Sequence, residues 1–317
     1  MNCLQDIVDV KSKVGTNNFA HIYPFFEYKV GKEQCWASPG RRQPKFPKVS
    51  LVLANHLYNA VPGYFDMTIK HMKTHDLVIV DNGAFEGETL TINELISVVK
   101  SLHDQLPMCK FAVVAPDYPG ESSIRTIASA AEFHDCLCAA GLRSKVFLFF
   151  VPQGERGDID DYVEALRFAA ESPAIDGVCF SILASPIAVY GTSMVTDFSK
   201  NARIVLLEHL FKEHRELMSN LFNNKYIHCL GLFNYPAEVF HLPYGVNSFD
   251  SAAPLKIAYY YALNSTTVEM KNIYNDRTPK VEIDVIRDSE EVLNTVFGSE
   301  TATKIFSNIV QYLADRE

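Results

Sequence analysis

The chain has 317 residues, 48% of them hydrophobic, and a formal net charge of −9. That length suits one large α/β barrel or two ordinary domains, and the acidic balance argues against wholesale non-specific nucleic-acid binding while allowing a local basic patch. Seven scattered cysteines make no disulfide framework, no apolar run reaches membrane-spanning length, and MNCLQDIVDVKSK has no signal-peptide core, so a reduced, cytoplasmic protein without a membrane partner is expected.

Residues 1–48 do not fit the alternation that follows. FAHIYPFFEYKVG reads as a hairpin or an added cap, so an N-terminal extension over 1–48 is expected. Within it, CWASPGRRQPKFPK interleaves Arg41, Arg42, Lys45 and Lys48 with Trp36 and Phe46. Basic groups that hold phosphates beside an aromatic that stacks on a base would form a nucleic-acid contact. A Pro-rich solvated loop is the bland alternative.

From Val49 onward, strand-like and helix-like runs alternate. VSLVLAN is followed by the helical GYFDMTIKHMK, and DLVIVD by TINELISVVKSLHDQL, in which Thr91 and Glu94 have capping-box spacing. KFAVVAPD precedes SSIRTIASAAEFHDCLCAAG, with Gly141 as a helix stop. KVFLFFVPQG precedes DIDDYVEALRFAAES. DGVCFSILAS is a fifth strand, and 186–191 reads as a loop or a short helix. TDFSKNARIVLLEHLFKEHRELMSNLF reads as one long helical stretch, and YIHCLGLF and GVNSFDSAA are the last strands. Strands that are apolar throughout and separated by helices imply a parallel sheet covered on both faces. Seven or eight such units favour a closed (β/α)8 TIM barrel over residues 49–264, with a helical C-terminal segment over 265–317 packed on it. His134, Cys136 and Cys138 form the one tight group of metal-ligand types. Helical i and i+2 side chains diverge, so no metal site is expected there.

The informative feature is what ends each strand: Asp81, Asp117, Gln153, Ser181 and Asp250. In a barrel of this type the C-terminal strand ends form the reaction face. A single Asp at a strand end is usually a helix cap or turn residue. Three carboxylates and an amide at successive ends make that bland reading much weaker.

DNGAFE at 81–86, VPQG at 151–154, HCLG at 228–231 and GVNSFDSAA at 245–253 occur in this order. They resemble the DSGGFQ, VQG, short strand–Gly and GVDxFD segments of the tRNA-guanine transglycosylases, over roughly residues 50–255. The resemblance implies a barrel enzyme that exchanges a base through a covalent glycosyl-aspartate. It makes Asp250 the nucleophile and Asp81 the general acid/base. Asp117 and Gln153 would read the base edge, Phe85 and Leu230 would sandwich it, and Ser181 and Gly231 would line the pocket. Phe85 by residue type alone is equally a core residue. The chemistry suits these groups. A carboxylate attacks C1′ as oxocarbenium character develops, one acid/base serves the leaving and incoming bases, and an acceptor-only carboxylate matches the N1–H and 2-amino donors of guanine while a Gln NH2 donates to O6.

The family pattern breaks in places. The tRNA enzymes hold a zinc with three cysteines and a histidine after the nucleophile, whereas this chain has no Cys after Cys229 and no His after His241. AAPLKIAYYYA replaces their tRNA-holding segment, and Phe180-Ser181-Ile182-Leu183 stands where they have Gly-Gly-Leu. The chain is therefore most similar to the DpdA-type DNA 7-deazaguanine transglycosylases of phages and bacterial islands. That implies DNA as the partner, insertion of preQ0 or a relative, no cofactor, and a host cytoplasmic location if phage-encoded. The alternatives are a zinc-free tRNA enzyme, a non-catalytic partner subunit of an active transglycosylase, and a barrel glycosidase acting on small sugars.

Overall fold

Eight parallel strands run in sequence order around a closed barrel: β1 (Asn18–Ile22), β2 (Val49–Leu53), β3 (Leu77–Asp81), β4 (Phe111–Val114), β5 (Val146–Phe150), β6 (Gly177–Ser181), β7 (Tyr226–Leu230) and β8 (Ser248–Phe249). The computed structural model describes residues 3–16, 18–22, 48–61, 63–84, 90–181, 202–232 and 242–250. The architecture is an α/β barrel, as the alternation predicts. Every residue of LVIVD in β3 and of VFLFF in β5 is buried, because one face meets the barrel interior and the other the surrounding helices.

The N-terminal residues depart from expectation. Residues 3–16 and 18–22 are not an extension outside the barrel. They form α1 (Cys3–Val14) and the first strand, which pairs with β2 at Ala20↔Val49 and with β8 at Asn18↔Ser248. NFAHI carries Asn18 and His21, so it lacks the continuous apolar character by which the other strands announce themselves. The segment with Arg41, Arg42 and Lys45 lies outside the described residues, as do Phe85, 182–200 and the expected C-terminal helical segment.

The helices are α2 (Ala54–Tyr58), α3 (Tyr64–Thr74), α4 (Ile92–Gln105), α5 (Ser123–Ala139), α6 (Ile159–Glu171), α7 (Ala202–Glu213) and α8 (Arg215–Asn224). Thr91 and Glu94 make the predicted reciprocal capping box at the start of α4. At the end of α5, Gly141 N–H donates to Cys138 O and Leu142 N–H to Leu137 O, the paired bonds of a Schellman motif. The long helical stretch expected before β7 is two helices. They break at His214 (φ −124°, ψ 43°) without a Gly or Pro to mark the place.

The N-terminal end of the barrel is a structural face. Lys11 Nζ donates to the carbonyls of Phe222, Asn223 and Lys225, closing the last turn of α8. Asn247 Nδ2 donates to Gly15 O, and Lys48 Nζ to Lys13 O and Val14 O. Asp176 accepts from Arg143 Nη2 and from Leu148 N–H. Burial pushes the Asp176 carboxyl up, and the Arg143 guanidinium partly opposes that. Among the described residues, no helix is long and apolar enough to cross a membrane.

Candidate active site at the C-terminal strand ends

Alternation along each strand aims Gly177, Cys179 and Ser181 of β6 along one face, Tyr226, His228 and Leu230 of β7 along another, and Ser248 and Asp250 along a third. The shared direction of the β7 and β8 side chains is seen in the contacts of Tyr226 Oη and His228 Nδ1 with Ser248 Oγ. Burial first pushes the Cys179 thiol well up, and the negative charges of Asp81 and Asp250, the Cys229 thiol and Asp117 push it further. Asp81 ends β3, Asp117 follows β4 and Asp250 follows β8, so charges from across the barrel converge on a β6 side chain. The three carboxylates are 9%, 4% and 6% exposed, in that order. The strand ends thus bring together the acidic groups that the sequence singles out.

Asp117 and Gln153 are in direct contact. Gln153 Nε2 donates to Asp117 Oδ2 at 2.5 Å, and Asn82 Nδ2 donates to Asp117 Oδ1 at 2.6 Å. Burial pushes the Asp117 carboxyl up, and the bonds from Asn82 and Gln153 partly oppose it. Asn82 also donates to Ala115 O and accepts from Ala84 N–H, which fixes the turn after β3. A carboxylate has about four lone-pair sites, so Asp117 keeps acceptor capacity for a ligand. Gln153 Oε1 is buried and has no hydrogen-bond partner among the described residues. The expected donation from Gln153 to a ligand oxygen therefore rests on its second N–H alone, while its carbonyl oxygen is the group left open.

Two features hold that pair in place. A Cβ on Gly154 would stand 2.8 Å from Tyr162 N and 2.9 Å from Tyr162 Cα, so the loop after Gln153 lies directly on α6 because residue 154 has no side chain. Asp161 accepts from Ser123 N–H at 2.9 Å, Glu155 N–H at 2.8 Å and Ser123 Oγ at 2.5 Å. Burial works against the Asp161 charge, but the bonds from Ser123 and Glu155 prevail and hold its carboxyl below the usual range. One carboxylate thereby ties the loop that follows Asp117 to the loop that follows Gln153.

Asp250 follows the two-residue strand β8. Its backbone N–H donates to Cys229 O at 3.2 Å and its carbonyl accepts from Leu232 N–H at 2.7 Å. Oδ1 accepts from Gly231 N–H at 3.1 Å and lies 3.0 Å from His228 Nε2. Gly231 adopts φ +61°, a left-handed conformation that glycine accepts without strain. Its carbonyl accepts from Arg203 Nη2 at 3.2 Å, and Arg203 Nη1 donates to Phe180 O and Leu230 O. This buried guanidinium on α7 staples the ends of β6 and β7. Leu230 and Ser181 face each other across those ends, both half-buried.

Sequence reasoning finds Asp81, Asp117, Gln153, Ser181, Leu230, Gly231 and Asp250 at this face and passes over Asn82, Asp161, Arg203 and His228. Asn82 lies inside DNGAFE and His228 inside HCLG, and that membership is the one signal that could have found them; nothing in the sequence marks Arg203 as buried. His134 Nε2 and Cys138 Sγ, at i and i+4, lie 3.7 Å apart, and no group of three His, Cys, Asp or Glu among the described residues could hold a metal ion. No protein-family model matches the chain, and no curated protein matches it.

Proposed function

We propose that this protein is a base-exchanging transglycosylase that replaces guanine in DNA with a 7-deazaguanine such as preQ0. The observation that carries the reading is the pairing of two buried acidic groups in distinct settings. Asp250 has one oxygen engaged by N–H donors, and Asp117 forms an acceptor-rich patch with Gln153.

Asp250 Oδ2 attacks C1′ of the target nucleotide as the C1′–N9 bond breaks, and Asp81 gives its proton to the departing guanine. The incoming base returns a proton to Asp81 and attacks C1′ with N9, and the bond to Asp250 breaks. Asp117 accepts from the base donors, and Gln153 completes the edge. A pocket with polar groups committed this way rejects an adenine-like edge, which would leave them unpaired. In duplex DNA the target nucleotide has to leave the stack to expose C1′. DNA rather than tRNA is favoured by the absence of Cys after Cys229 and of His after His241.

The test is incorporation of labelled 7-deazaguanine into duplex DNA and into tRNA. Label in DNA supports the reading, and label in tRNA alone replaces it with a zinc-free tRNA enzyme. Binding of the free base without incorporation into either points to a non-catalytic partner subunit. No binding of the base leaves a sugar hydrolase as the better account.

A further inference from the structure

We infer that His228 is the positioning residue of Asp250, held as its neutral Nε2–H tautomer by a buried, one-way chain of hydrogen bonds that starts at Tyr226 and passes through Ser248. The inference rests on the nucleophilic role proposed for Asp250. Tyr226 Oη lies 2.8 Å from Ser248 Oγ, Ser248 Oγ lies 2.7 Å from His228 Nδ1, and His228 Nε2 lies 3.0 Å from Asp250 Oδ1. The barrel builds this line. Tyr226 and His228 share one face of β7, and the parallel register sets His228 beside Ser248. Tyr226, Ser248 and His228 are fully buried.

The direction follows from counting donors. A carboxylate oxygen only accepts, so the proton between His228 and Asp250 sits on Nε2. A neutral ring then offers Nδ1 as an acceptor, which the Ser248 hydroxyl fills, and the Ser248 oxygen accepts from Tyr226. Every donor has an acceptor. An imidazolium reverses the upper half. Nδ1–H would donate to Ser248, Ser248 to Tyr226, and the Tyr226 hydroxyl proton would be stranded, because Ser248 is its one partner among the described residues. Buried donors without acceptors are disfavoured.

Three consequences follow for Asp250. Its Oδ1 receives two N–H donors, from His228 and Gly231, which fixes the plane of the carboxylate and leaves Oδ2 for C1′. When Oδ2 becomes esterified, Oδ1 becomes the ester carbonyl oxygen and both donors stay on it, so no proton has to move. A neutral ring also holds the carboxylate without pairing its charge. The Ser–His–Asp set is not a hydrolase triad, because the Ser248 hydroxyl is fully buried and engaged on both sides.

The experiment combines spectroscopy with kinetics on the full chain. Long-range 15N–1H correlation on 15N-histidine-labelled protein, with His228 assigned by its loss in His228→Gln, is expected to show the Nε2–H pattern at neutral pH. An Nδ1–H or imidazolium pattern overturns the inference. In single-turnover exchange with duplex DNA and preQ0, His228→Phe is expected to slow the reaction about 100-fold through a misplaced carboxylate, with preQ0 affinity unchanged. His228→Gln, which keeps an N–H near the Nε2 position, is expected to recover most of that loss. Equal rates in wild type and the Phe variant, or equal losses in both variants, overturn it. Should the Phe variant fail to fold, Ser248→Ala removes the proton donor to Nδ1 while keeping His228 and Asp250. It is expected to shift the ring away from a pure Nε2–H pattern, and an unchanged spectrum overturns the inference. A wild type that exchanges no base refutes the proposed function, and the tautomer spectrum then decides the chain by itself.

Discussion

Gln153 donates an N–H to Asp117 while the carbonyl oxygen of the same amide is buried and has no partner among the described residues. The pocket is therefore set to receive donors, from a ligand or from a changed neighbour. Asp117→Asn supplies one internally. Its Oδ1 accepts from Asn82, and its Nδ2 donates to Gln153 once that amide turns over. The variant is expected to fold and to lose about 2–3 kcal/mol of affinity for a guanine-like base, read by calorimetry.

The same substitution has a pH signature. Burial raises the Asp117 carboxyl in the folded chain, so the folded protein holds this proton more tightly than the unfolded one. Its contribution to stability is greatest below the ordinary carboxylate value and falls as pH rises through the raised folded value. Asp117→Asn lacks that falling limb. Its melting temperature is expected to gain on wild type as pH rises from acid toward neutral. Melts whose difference stays constant across that range would rule this out.

Asp250→Asn keeps an oxygen for the N–H groups of His228 and Gly231 and removes the proposed nucleophile. The variant is expected to melt cooperatively and to form no covalent protein–nucleic acid adduct on a denaturing gel. An adduct in this variant would remove Asp250 from its role.

Gly154→Ala places a Cβ against the Tyr162 backbone, which cannot give way as a flexible side chain would. The expected cost is about 1–3 kcal/mol of stability, with weakened base binding because Gln153 precedes the displaced residue. Chemical denaturation and calorimetry on the same variant check both effects.

Arg203→Met strands the carbonyls of Phe180, Leu230 and Gly231. The expected loss is about 3 kcal/mol, measured by urea denaturation. Arg203→Lys is expected to recover only part of it, since an ammonium lacks the planar fork that reaches separate carbonyls.

Strands β3 to β6 are legible in the sequence because each is a short apolar run closely followed by a polar residue, and β2 and β7 are legible from their place in the alternation with helices. Strand β1 is not, because NFAHI is too polar to stand out and what makes it a strand is pairing with β2 and, more than two hundred residues away, with β8. The carboxylates are legible because they interrupt apolar runs at a place with topological meaning. His228 is hidden for the opposite reason. A histidine inside a strand reads as an exception to be ignored, and its meaning comes from Ser248 and Asp250 on the neighbouring strand. Arg203 in ARIVLLEHLF reads as a solvated helix residue, and only the geometry shows its guanidinium ending on three carbonyls. Gly154 carries no signal of its own, since the reason for a glycine there is the position of α6.

The ring closes where its first strand meets its last, at Asn18↔Ser248 and Phe19↔Phe249, one residue before Asp250. As the chain leaves the ribosome, β1 can pair with β2 early, but its other edge waits for β8 until all the other strands have been made. Such distant pairings are slow to form. Half-made chains and folding intermediates can thus hold Asp81, Asp117 and Gln153 on adjacent strands while the Asp250 carboxylate has no fixed place. The position of Asp250 is therefore tied to the pairing that seals the barrel.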